Sequence, residues 1–183
     1  DLISRLNAGP VICAEGYLFA MERRGYLQAG AFVPEVVLEH PEVVTQLHRE
    51  FIRSGSDVVQ AFTYYGHREK LKIIGKEDKL EALQKNALKI AKDAANEFPD
   101  LDLMVAGNVA NTCVYDPNDN STIAECRKMF EEQVAWAKEA GVDFIMAETL
   151  SWLEEAKIAL KVIKEADMIA VTNITIHQEA KTR

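Results

Sequence analysis

The chain has 183 residues, 48% of them hydrophobic and 27% charged, with a formal net charge of -8. That composition excludes a disordered or fibrous protein, and the length suits one domain with a substantial core. The acidic balance excludes a general affinity for nucleic acid, which needs clustered Lys and Arg, and no apolar stretch approaches the roughly 20 residues of a membrane-spanning helix.

In chain order, apolar runs at 11–14, 58–62, 103–106, 144–147 and 168–171 read as buried strands, because both faces are apolar and Val, Ile or Phe dominate. Between them lie amphipathic stretches. The first helix is expected over 34–53 with a restart at Pro41, and the second over 79–97, stopping before Pro99. A third is expected over 121–140, capped by Asn120 or Ser121 and ended by Gly141. The fourth is expected over 151–164, opened by Ser151 and Glu154 as a capping box. Strands alternating with helices predict βαβ units, whose working residues follow the carboxyl ends of the strands. Counting leaves two architectures: an open doubly wound five-stranded parallel sheet, which this length completes, or a (β/α)8 barrel, which typically needs ~250 residues. Counting alone favours the open sheet.

The strand ends carry Glu15, Gly16 and Tyr17; Tyr64 and Tyr65; Asn108 and Asn111; and Glu148 and Thr149. Two carboxylates at one rim can hold an ammonium group, bind a metal or serve as acid and base. The alternative is that each caps a helix or pairs with an Arg. The aromatics Tyr17, Phe32, Tyr64 and Tyr65 suit a cationic or zwitterionic ligand through cation–π contacts, although Phe32 also reads as a core residue. Asn108 and Asn111 suit either ligand orientation or turns. Cys13, Cys113 and Cys126 are widely spaced, which indicates no disulfide framework and no zinc finger. Cys13 and Cys126 read as packing residues, Cys113 as a passive thiol, and His40, His48 and His67 as surface or capping residues. Residues 1–10 lack the apolar region of a signal peptide, so a reducing cytoplasm is expected. There is no GxGxxG after the first strand, no GxxxxGK[ST], no GxSxG and no Lys at a strand end, so phosphate cradling, a serine nucleophile elbow and Schiff-base chemistry are unsupported.

The stretches RLNAGPVICAEGYLFAMERRGYLQAG, PEVVLEHPEVVTQLHREFIRSGSDVVQAFTYYGHREKL and GVDFIMAETLSWLEEA resemble the amino-terminal part of betaine–homocysteine S-methyltransferases and related homocysteine S-methyltransferases. The resemblance implies a (β/α)8 barrel, here about its first five βα units, and so overrides the count. It implies methyl transfer from a betaine-like or methylsulfonium donor to homocysteine sulfur, giving methionine, with zinc holding the thiolate. Glu148 matches one of the acids that hold the ammonium end in that family, Glu15 is the nearest acid to the other, and Tyr65 matches a donor-contacting aromatic. The chain departs from the family in having Ala14-Glu15-Gly16-Tyr17 for Asp-Gly-Gly-Phe, Phe32 for a betaine-contacting Trp and Thr149 for a Tyr. The family's zinc cysteines lie on later strands, so the resemblance assigns no metal ligand to this chain. It also implies two unpaired strand edges and self-association through them. Two other readings stand beside it: a non-catalytic amino-acid or quaternary-amine binding module, and a metal-independent acid–base enzyme.

Overall fold

The structure is a computed structural model describing residues 1–27 and 30–176. Its helices and strands run α1 (Leu2–Ala8), α2 (Tyr17–Arg23), α3 (Val36–Glu39), α4 (Pro41–Arg53), β1 (Val58–Gln60), α5 (Arg68–Ile73), α6 (Leu80–Asn96), β2 (Met104–Ala110), α7 (Ser121–Ala140), β3 (Phe144–Leu150), α8 (Leu153–Glu165) and β4 (Ala170–Ile174). The strands form one parallel sheet in the order β1-β2-β3-β4. Each strand therefore lies beside the one before it in sequence. A doubly wound sheet needs a point where the strand order reverses and helices on both faces, and neither is present among the described residues.

Side chains alternate across the sheet with the period of two that a strand imposes. Val59, Val105, Val109, Ile145 and Ala147 face the helices and pack with Ile52 of α4, Leu88 of α6, Phe130 of α7 and Ile163 of α8. Val58, Met104, Ala106, Phe144 and Met146 face the other way and form a separate cluster closed by Leu2 of α1. Helices outside, apolar side chains inside and strands in sequential order make this an arc of a (β/α)8 barrel. The expectation drawn from the resemblance stands, and the doubly wound alternative does not.

Three local expectations are corrected. The run at 11–14 is reduced to a single parallel bridge between Cys13 and Val58. It has one neighbour only, Ile12 is 54% exposed, and the Ile12 N–H is drawn 2.7 Å to the Asp57 carboxylate instead of a strand partner. The capping box at Ser151 is not formed: the N-cap is Trp152, which puts Glu154 one position too early, and its carboxylate pairs with Lys157 at 2.6 Å. At α7 the N-cap Asn120 makes no side-chain bond. Asp119 takes that role from one residue upstream, accepting from Ser121 N and Oγ at 2.9 and 2.7 Å. Among the described residues no helix is long and apolar enough to cross a membrane.

Candidate functional site

Three neighbouring strands each deliver one polar side chain to the inner face near its carboxyl end. Gln60 ends β1, Asn108 lies in β2 and Glu148 in β3. Gln60 Nε2 donates to Glu148 Oε1 at 3.0 Å, and Asn108 Nδ2 donates to the same oxygen. An ionised carboxylate only accepts, so both amides must turn their NH2 groups toward it. Their carbonyl oxygens, Gln60 Oε1 and Asn108 Oδ1, are then left buried with no hydrogen-bond partner among the described residues. Burial pushes the Glu148 carboxyl above the usual carboxylate range, Glu15 pushes it further, and the two amides pull it partly back.

Above this cluster lies a cavity of about 400 Å³ whose lining includes Glu15, Gly16, Tyr17, Phe19, Tyr64, Glu148 and Thr149. Six of the sequence-predicted residues thus share one cavity, with Asn108 bonded to Glu148 at its base. Glu15 is exposed and precedes Gly16, which opens α2 from a left-handed conformation at φ 84°. Tyr17 is 4% exposed. Its hydroxyl accepts from Gln60 N–H at 3.3 Å and lies 3.2 Å from His48 Nδ1. The Tyr17 hydroxyl is raised by burial, and burial lowers His48 to about 3, so the imidazole is neutral. Tyr64 is likewise raised, mainly by burial, and hydrogen-bonds Thr149.

Tyr65 and Phe32 are not part of the cavity lining. The Tyr65 ring packs 4.3 Å from that of Tyr64 and carries the Lys70 ammonium 4.1 Å from its centroid, so a cation of the chain's own occupies it. Phe32 is partly buried against the core formed by Tyr17, Val36, Phe62 and Leu83. Asn111 donates 3.1 Å to the carbonyl of Thr149.

Sequence reasoning missed Phe19, Gln60 and His48. Gln60 was legible as the one polar residue in an apolar run. His48, expected at the surface, is fully buried, and its place one turn after Val44 and next to Leu47 marks the inner face of α4. Phe19, 61% exposed, carried no signal. His67 is buried, and its ring accepts from Lys70 N at 3.5 Å to cap α5. His177 lies outside the described residues.

The three thiols are free and apart: Cys13 on the inner face, Cys113 exposed, and Cys126 buried 3.2 Å from Thr112 Oγ1. Burial is the main influence raising each thiol above its ordinary value, the opposite of what a metal-held thiolate requires. Among the described residues no three His, Cys, Asp or Glu side chains converge to hold a metal ion. These residues do not fit a zinc site.

Residues 16–183 match the family model described as Homocysteine S-methyltransferase. The chain is 40% identical over 168 residues to betaine–homocysteine S-methyltransferase 1 of Rattus norvegicus, covering 89% of this chain and 40% of that protein. It is 38% identical over 183 residues to the Sus scrofa protein of the same name, covering 97% and 64%. It therefore spans less than two thirds of the length of either relative. Among solved structures, the metallated form of the homocysteine methyltransferase MmuM from Escherichia coli superposes with a TM-score of 0.75 at 19% identity, covering 91% of this chain and 64% of that one. Its oxidised form gives 0.77. At this identity the superposition is evidence of fold.

Proposed function

This chain belongs to the homocysteine S-methyltransferase family, and from that premise we propose that residues 1–183 are a single domain, the amino-terminal portion of a barrel that holds homocysteine while its sulfur is methylated to give methionine. The observation that carries the reading is the polarity of the cavity floor. Glu148 Oε1 is saturated by two amide donors, and what remains is Glu148 Oε2, Gln60 Oε1, Asn108 Oδ1 and the Glu15 carboxylate. All of these accept hydrogen bonds and none donates. Such a set calls for a compact donor with several N–H groups and a positive charge, which describes the ammonium end of an amino acid.

In this reading Glu148 and Glu15 bind and orient the ammonium, Gln60 and Asn108 fix the Glu148 carboxylate and offer it two further acceptors, and Tyr17 holds the Gln60 backbone. Tyr64 and Phe19 supply apolar walls that exclude water. An arriving ammonium also favours ionised Glu148, reversing the effect of burial. Zinc, which the family resemblance implies for thiolate activation, has no ligand set among the described residues, and no step is routed through it. The methyl donor is a betaine-like or methylsulfonium compound. Because Lys70 occupies Tyr65, donor contacts are assigned to Tyr64 and Phe19. A reducing cytoplasm agrees with three free thiols.

The test separates the amine from the rest of the ligand. By calorimetry, L-homocysteine binds and N-acetyl-homocysteine, which lacks the ammonium, does not. Glu148→Gln, which puts a donor where an acceptor stood, weakens homocysteine binding by at least about tenfold. Equal binding of the amine and its acetylated form would remove the basis of the proposal. Methionine formation by a longer version of the chain, compared with this one, then measures how far binding and turnover coincide.

A further inference from the structure

Just past or within three successive strands, non-glycine residues adopt left-handed backbone: Tyr65 at φ 58°, Cys113 at φ 62° and Thr149 at φ 60°. Thr149 is the most demanding, because a β-branched side chain rarely tolerates this conformation. It lies inside β3, where the pairing with β4 shifts register between Ala147 and Leu150. This is a bulge with threonine where glycine is the usual left-handed residue. The extra residue decides which way the neighbours point. Phe144 and Met146 face the barrel interior and Glu148 lines the cavity, whereas Leu150, which strict alternation would also turn inward, packs with Ile145 and Ala147 on the helix side.

Asn111 holds this bulge. Its Nδ2 donates 3.1 Å to Thr149 O and lies 3.5 Å from the Tyr65 hydroxyl, while Cys113 Sγ donates to its Oδ1 at 3.2 Å. One side chain thereby links the loops that carry all three left-handed residues. The next residue fixes the loop in turn: Glu155, 2% exposed on α8, accepts from Thr112 N and Oγ1 at 2.7 and 2.6 Å. Strained backbone persists where surrounding structure over-determines it, and such sites cluster where geometry is functional.

We propose that Asn111 is a positioning residue that pins the β3 bulge at Thr149 and thereby aims Glu148 at the cavity. This rests on Glu148 being the ammonium site, but its test can be read without any ligand. In Asn111→Ala, measured in the full chain, the Glu148 side-chain carboxyl followed by carbon NMR titrates at a displaced midpoint, and L-homocysteine binding weakens by about tenfold. Thr149→Gly, which takes the same backbone without strain, melts a few degrees higher and keeps the Glu148 midpoint, because Asn111 still holds the carbonyl. A folded Asn111→Ala protein with an unchanged Glu148 midpoint overturns the proposal. If that variant does not fold, the pair Asn111→Ala and Thr149→Gly is measured in its place by the same criterion. Absence of homocysteine binding by the unsubstituted chain counts against the ammonium reading alone, since the midpoint judges Asn111 independently.

Discussion

Burial raises the Glu148 carboxyl and lowers the His48 imidazole, so the two groups tilt stability in opposite directions as pH changes. Glu148 binds its proton more tightly folded than unfolded, so its contribution is complete at low pH and is lost as pH rises through its folded value. His48 is depressed to about 3; its contribution is present above the ordinary histidine value and is lost as pH falls from there toward 3. At about 1.4 kcal/mol per pH unit of difference, His48 alone removes up to roughly 4 kcal/mol across that acid window. His48→Gln, which keeps a hydrogen-bonding group near Tyr17 but does not titrate, is therefore expected to shift the acid-unfolding midpoint, followed by circular dichroism, to lower pH; an unmoved midpoint counts against the assignment. At this scale legibility depended on context. Glu148 could be read because an acid ends an apolar run, whereas Gln60 was hidden by the apolar residues around it. His48 was assigned by residue type rather than by helical position, which is where its burial was encoded.

Helices α6 and α7 and strands β2, β3 and β4 could be placed to within a few residues because each is long and periodic or apolar on both faces. The segments that escaped, α1, α2 and α5, are seven, seven and six residues long, too short for a hydrophobic period to declare itself. The misread caps at α7 and α8 were errors of one position, which matters because a capping side chain reaches only a fixed number of backbone donors. Helix–sheet contact gives a sharper test at Gly107. A β-carbon there would meet Ala137 Cβ at 2.9 Å and Ile145 Cγ1 at 3.5 Å, so α7 approaches β2 closely enough to exclude even a methyl group. Gly107→Ala is expected to destabilise the fold by about 1–3 kcal/mol, measured by urea denaturation. A change within experimental error would show that α7 can move away without loss.

At the scale of the molecule, residue count and strand count pointed to the wrong architecture, because a complete five-stranded sheet and an arc of a larger barrel contain the same elements. Connectivity separates them, and connectivity entered the sequence reading only through the family resemblance. The arc has two outer members, the segment at Cys13 and strand β4, each paired on one side only among the described residues. Such edges are templates for further pairing, and self-association through them is the expected behaviour. Sedimentation velocity should show an assembly larger than a monomer that dissociates on dilution, and substitution of Thr172 in β4 by proline should shift the distribution toward monomer. A concentration-independent monomer would refute this. The strand order has one more consequence, for the time course of folding. Residues leaving a ribosome in order would always find the neighbour they dock against already made, since β2 needs only β1, β3 only β2 and β4 only β3. Nothing has to wait for a later piece to slot between two earlier ones, so the arc can grow at one margin during synthesis.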